Sequence, residues 1–182
     1  MDLEQFLAWE GRQESRHEYD GVRIIAMTGG TDAHSAIQMG LAMALGIHLK
    51  GKPCRPRSSD LKIRTATSIR HADALVVCAP RAPTATFVAD PVVIFEILGK
   101  STAREDYGPK VAEYQSIPSL QRYVILQQTH RAAIVFSRTE EGWDHEFMFG
   151  VAAVLAMPEI GIAVPLAEIY DGIALESDSV TG

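Results

Sequence analysis

The sequence predicts a mixed β-sheet flanked by helices, an α/β or α+β architecture in one domain over residues 1–176. Three observations carry this. Two apolar runs rich in β-branched residues, 73–78 and 92–98, read as buried strands. Helical patterning lies on both sides of them along the chain. At 182 residues, with 47% hydrophobic and 22% charged residues, the chain has enough apolar surface for a substantial core.

Leu3, Phe6, Leu7 and Glu10 suggest a short amphipathic helix, and residues 22–27 a strand ended by Thr28-Gly29-Gly30. Asp32 suits the N-cap of a helix over 33–50, whose apolar face is Ile37, Leu41, Ala44, Leu45 and His48, with Gly51 closing it. Strands follow at 54–64, 72–78 and 92–98, the last two separated by a Pro-rich loop over 79–91. A helix is expected over 104–115, capped by Ser101 or Thr102 and stopped by Pro118. Residues 122–127, 132–137 and 143–149 read as strands, 164–170 as a small helix after Pro165, and 177–182 as a frayed tail.

Composition narrows the class. No apolar run approaches the roughly 20 residues of a membrane span, and the acidic start Met1-Asp2-Leu3-Glu4 lacks the basic opening of a signal peptide. A cytoplasmic protein without membrane association is expected. Cys54 and Cys78 are read as one half-exposed thiol and one core thiol. The net charge is −6, yet residues 50–71 hold Lys50, Lys52, Arg55, Arg57, Lys62, Arg64 and Arg70 against Asp60 alone. Such a strip suits either a phosphate backbone or a protected edge strand.

The chemistry centres on two carboxylates inside apolar strands. A bare charge there costs several kcal/mol, so each needs a partner, a proton or a metal. Glu96 shares its strand face with Val92, Ile94 and Leu98, near the strand's C-terminal end. Asp73 opens its own strand. If the two strands pair antiparallel, Asp73 and Glu96 meet, and together they would seat Mg²⁺ or Mn²⁺ with water completing the shell. A salt-bridged carboxylate beside a capping one is the alternative. Lys110 follows on the next helix, where it would stabilise developing charge or simply be solvated. Glu18 would add a third carboxylate or lie on the surface. His34 falls in the first turn of a helix, where the dipole favours anions. The other histidines show no metal-ligand spacing. Gly99-Lys100-Ser101-Thr102 imitates a P-loop, but the required upstream glycine is Ile94, so no nucleotide cofactor is expected. No Gly-x-Ser-x-Gly elbow exists.

Several segments together resemble the Uma family of "putative restriction endonucleases", within the PD-(D/E)XK nuclease superfamily. They are Arg16-His17-Glu18-Tyr19, Ala26-Met27-Thr28-Gly29-Gly30-Thr31 with His34, Ser59-Asp60-Leu61-Lys62-Ile63, Ala72-Asp73-Ala74 and the run from Asp90-Pro91 to Glu96-Ile97-Leu98. Ser101, Thr102, Asp106, Lys110, Tyr114, Ile117-Pro118-Ser119-Leu120, Tyr123-Val124-Ile125-Leu126 and 165–170 follow in family order. The resemblance implies a restriction endonuclease-like core and a divalent-metal phosphodiesterase acting on DNA. It implies Asp73, Glu96 and Lys110 as catalytic, with Asp73, Glu96 and Glu18 around the metal. His34, Asp60, Lys62 and Gln128 would be substrate or orienting contacts. The superfamily's usual lysine falls at Leu98, which favours Lys110 in that role. Ala72 replaces the usual proline, and Gly99-Lys100 the usual Ser-Pro. A homodimer is expected by the same analogy, because cutting both strands needs two sites. A nuclease fold without activity, acting as a nucleic-acid-binding or assembly module, is the competing reading.

Overall fold

The computed structural model describes residues 1–27, 29–99 and 108–175. The expectations on Thr28, Lys100, Ser101, Thr102, Arg104, Asp106 and the terminal tail lie outside them. The elements are α1 (Leu3–Glu10), β1 (His17–Tyr19), β2 (Ile24–Ala26), α2 (Asp32–His48), β3 (Arg55–Ser58), β4 (Lys62–Arg64), β5 (Ile69–Arg70), β6 (Ala74–Val77), β7 (Phe87–Val88) and β8 (Val93–Leu98). There follow α3 (Pro109–Gln115), β9 (Arg122–Gln127), β10 (Ala132–Thr139), β11 (Gly142–Phe149), β12 (Val154–Met157), a 3-10 turn (Pro158–Ile160), β13 (Ile162–Pro165) and α4 (Leu166–Ile169).

The expected mixed sheet is present, with strand order β11-β10-β9-β8-β6-β3. Within this sheet β8 and β9 run parallel and the other neighbours antiparallel. A second sheet, β2-β1-β5-β4-β7, lies beside it, and β12 pairs with β13. Period-two alternation divides the large sheet's residues between two cores. On one face Val76, Phe95, Val124 and Val135 pack with Ile37, Leu41 and Leu45 of α2, and with Val164, Leu166 and Ile169 from the C-terminal elements. On the other, Leu75, Ile94, Tyr123 and Ile125 pack with Tyr114 and Ile117, and with Ile63 and Val88 of the second sheet. Each such fully buried large side chain contributes roughly 1.5–3 kcal/mol. Gly40 lets α2 approach α4 closely, since a Cβ there would collide with the Ile169 carbonyl oxygen.

Local signals explain most boundaries. Asp2 and Gln5 form a reciprocal capping box at α1. Thr31, not Asp32, caps α2: its Oγ1 accepts the His34 N–H, leaving Asp32 in the acidic first turn. The strand expected over 54–64 is two strands, β3 and β4, which join different sheets on either side of a turn at Ser59-Asp60. The loop over 79–91 contains β7, and Val164 belongs to β13 rather than to the last helix. Val92 precedes β8 and packs with the α2-side core, so it does not share the face of Glu96.

The two cysteines are not thiols. Arg55 pairs with Val77 across β3 and β6, so the next position outward sets Cys54 against Cys78, and they form a disulfide. It ties the edge strand β3 to the sheet interior. Closing a loop of 24 residues' separation stabilises a fold by about 3 kcal/mol in the chain-entropy account. We expect Cys54→Ser, or reduction by dithiothreitol, to lower unfolding stability by about that amount. Urea melts of oxidised and reduced protein check it; coincident melts would mean the bond carries no stability. Disulfides of this kind persist in oxidising surroundings, which sits uneasily with the expected cytoplasmic location. Among the described residues, no helix is long and apolar enough to cross a membrane.

Candidate active site

β6 and β8 pair antiparallel, with Ala74 opposite Phe95, Leu75 opposite Ile94 and Val76 opposite Val93. One step further along this register sets Asp73 opposite Glu96. The two acids that the sequence places in separate strands are thus set side by side in register at one end of the central sheet, each carboxylate with its own partners. Asp73 Oδ2 accepts the Ile97 N–H at 2.7 Å, and Oδ1 lies 3.2 Å from His34 Nε2. Gln38 Nε2 of α2 donates to the Asp73 carbonyl oxygen at 3.0 Å. His34 is itself placed by Thr31, whose Oγ1 caps the helix and donates to Gln128 Oε1 at 2.7 Å. His34 and Gln128 therefore join the site, Gln128 by way of Thr31.

Glu96 is buried, and so are the groups around it. Lys110 of α3 sets its Nζ 3.0 Å from Glu96 Oε1 and 3.5 Å from Glu18 Oε1. Tyr114, one helical turn on, donates its hydroxyl to the same Glu96 Oε1 at 3.0 Å. Burial, and then the charge of Glu96, push the Tyr114 hydroxyl well above its ordinary value, so it stays a donor. Glu18, on β1, receives the His71 N–H at 2.9 Å and Arg70 at 3.1 Å. Burial drives the Glu18 carboxyl upward, but Lys110, the His71 N–H and Arg70 outweigh it and hold it below the ordinary value. Arg70, with no exposed surface, forks onto Glu113 as well, at 2.6 and 2.8 Å. Burial works against that guanidinium's charge, but Glu113 and Glu18 keep it raised above its ordinary value.

The result is a continuous chain of paired ions, Glu113, Arg70, Glu18, Lys110 and Glu96, all buried except the half-buried Glu113. Buried charges persist only when paired this way. Reasoning from sequence missed Arg70 and Glu113. Arg70 looked like one cation in a basic strip, and its place between the apolar Ile69 and Ala72 was the available signal. Three of that strip's seven cations pair with acids within the fold, Arg70 among them. Lys62 pairs with Glu10 at 3.0 Å, Arg64 with Glu4 at 2.6 Å, and Arg55 turns onto main-chain carbonyls. Asp60 pairs with Arg16 on the surface, so Asp60 and Lys62 find their partners elsewhere than the Asp73–Glu96 pair.

The donor set suits a hard divalent ion. Asp73 and Glu96 would supply carboxylate oxygens to it, and Mg²⁺ takes one or two such ligands, filling the rest with water and substrate phosphate. Among the described residues, no group of three or more His, Cys, Asp or Glu side chains is arranged as a cage. Glu18 faces Arg70, Lys110 and a backbone N–H, an arrangement better fitted to holding the ammonium than to holding a cation.

A mixed β-sheet flanked by helices is the fold class that the family resemblance implied, and comparison with known proteins agrees. The Uma2 family, described as "Putative restriction endonuclease", matches residues 3–165, and the chain belongs to it. An uncharacterized protein of Synechocystis sp., slr1290, is 32% identical over 177 residues, covering 96% of this chain and 93% of its own. A second from the same organism, sll1609, is 25% identical over 129 residues, covering 68% and 73%. A crystal structure from Anabaena variabilis, described as a "putative nuclease belonging to DUF820", superposes with a TM-score of 0.76 over 93% of this chain and 97% of its own, at 16% identity. That likeness establishes the shared fold.

Proposed function

We propose that the protein is a Mg²⁺- or Mn²⁺-dependent endonuclease that hydrolyses DNA phosphodiester bonds. The observation that supports this most is the register of β6 and β8, which sets Asp73 opposite Glu96 with the Lys110 ammonium against Glu96. Asp73 and Glu96 would hold the metal, which when bound supplies a Lewis acid for the phosphate and an acidified water. Lys110 supplies positive charge beside the scissile phosphate as negative charge develops there. Tyr114 fixes the orientation of Glu96 through its Oε1. Glu18, locked by Arg70 and the His71 N–H, fixes Lys110 from the other side. His34 orients Asp73 or meets a phosphate at the N-terminus of α2, and Gln128 steadies that turn. Lys62 would reach DNA by giving up Glu10, and Asp60 by giving up Arg16.

A homodimer belongs to the same proposal, since duplex cleavage requires two copies of the site. In the apolar run Phe147, Met148, Phe149 and Val151, at and just beyond the end of edge strand β11, Met148 packs against the core while Phe147, Phe149 and Val151 are largely exposed. They offer an apolar face for the second copy. The experiment is conversion of supercoiled plasmid to nicked and linear forms in Mg²⁺ or Mn²⁺. Cleavage abolished by EDTA and restored by added metal is expected. Plasmid bound but never cut under any divalent ion would favour the binding-module reading instead.

A further inference from the structure

α2 carries an apolar face directed away from the sheet. Met39, Met43 and Ile47 succeed one another at the four-residue helical spacing and are 63%, 59% and 71% exposed. Between Asp32 and Lys50 the exposed positions are Ser35, Met39, Ala42, Met43, Gly46 and Ile47, none of them charged. A solvated helix face is ordinarily polar, so a contiguous apolar one marks an interaction surface. Gly46 belongs to the same face. Gly40 makes room for the Ile169 carbonyl oxygen, whereas a Cβ at Gly46 would meet nothing within 4 Å. Glycine inside a helix is destabilising relative to alanine, and close approach by a second helix gives Gly46 a use.

The two ends of the face identify the occupant. Asp32 and Lys50 are exposed, and neither forms an ion pair among the described residues. Their separation of 18 residues is five helical turns, which sets them on one line along α2. Leu49 keeps helical dihedrals past the last helical residue, so the line runs on to Lys50. We infer that α2 takes a second copy of this chain, the two helices antiparallel and centred at the level of Leu41. Residues equidistant from Leu41 then meet: Asp32 with Lys50 of the second copy, Met39 with its Met43, and Ser35 with its Ile47. Each contact occurs twice, as two-fold symmetry requires. Opposite charges close both ends, and the small Ser35 leaves room for Ile47. Other occupants lack their chemistry here. Helix faces that lie on membranes, and surfaces that track a phosphate backbone, carry Lys or Arg, and α2 has neither between Asp32 and Leu49.

This pairing goes beyond the nuclease reading and does not depend on cleavage. It is also separate from the β11 face, which lies at an edge of the central sheet, while the buried side of α2 packs on the sheet's face. With both faces in use the chain forms a tetramer, and with α2 alone a dimer, so losing the α2 contact halves the assembly in either case.

The test is sedimentation equilibrium of the full chain over about 1–100 µM, the weak end of specific association, with the folding of each variant checked by circular dichroism. Met43→Glu opposes a carboxylate to Met39 of the second copy and should halve the wild-type mass. Asp32→Lys and Lys50→Asp each set like charges together at both ends, and should weaken association about tenfold or more. The double reversal should restore it. All three positions are exposed, so the fold has little stake in them. Should Asp32→Lys disturb the helix start, Lys50→Asp and Met43→Glu carry the test. A wild type monomeric at every concentration, a Met43→Glu variant of unchanged mass, or no recovery in a folded double reversal overturns the pairing. In the second case association runs through β11, and Phe147→Glu should abolish it.

Discussion

Asp73→Asn should reduce metal-dependent cleavage by about a thousandfold or more, because a bound metal supplies several kcal/mol of transition-state charge stabilisation. The amide keeps the shape, and its oxygen can still accept the Ile97 N–H, so the strand end stays in place. Glu96→Gln should remove activity to the same degree but cost stability as well, since Lys110 then loses the nearer of the two buried carboxylates beside it. Mn²⁺ titration by calorimetry should show binding to wild type that is lost in both variants, with a short duplex added if free protein alone does not bind. Plasmid cleavage at undiminished rate by either purified variant would remove that acid from the site. The different stability costs separate the two residues: one acid is fastened by backbone, the other by buried ions.

The largest effect on folding is expected at Arg70. Its guanidinium has no exposed surface and neutralises Glu18 and Glu113 together. Arg70→Met would leave both carboxylates without it, and breaking a buried pair from one side costs about 3–5 kcal/mol. The urea midpoint should fall accordingly. Combining Arg70→Met with Glu18→Gln and Glu113→Gln should recover much of the loss, because shape-matched neutral groups can replace buried ions at little cost. A double-mutant cycle between Arg70 and Glu113 then isolates their coupling. A loss below about 1 kcal/mol for Arg70→Met alone, the range of exposed pairs, would show that water reaches these groups and that the chain of ions is not closed.

The two acids were legible because their strands are long, β-branched and apolar, so a carboxylate in either stands out. The register followed once β6 and β8 proved antiparallel. β1, β5 and β7 escaped because two or three residues carry no periodicity; pairing within the second sheet creates them. The turn at Ser59-Asp60 hid inside a run that reads as one strand. The disulfide was invisible for a related reason: two cysteines 24 residues apart become neighbours only when β3 lies against β6. The ion chain draws its members from β1, β5, β8 and α3, and no spacing in a sequence announces such a meeting. Lys110 stood out on the helix after Glu96 and was favoured by the family resemblance, while the apolar surroundings that make it a buried ion came only with the fold.

The chain of ions also bears on how such a protein changes over evolutionary time. A lineage that had no further need of cleavage would usually let its acids drift. Here Glu96 is not at liberty to do so, because losing it takes the nearer of two buried carboxylates from Lys110, and losing Lys110 removes the cation that Glu96 and Glu18 share. Change would have to come in concert, two or three codons together, or through a folding deficit at each single step. Asp73, fastened by a backbone amide and a histidine, faces a lower barrier. Among descendants that have abandoned the chemistry, Asp73 should therefore vanish first. A surviving Glu96 testifies to the fold's own needs, and a surviving Asp73 to selection for what the site does.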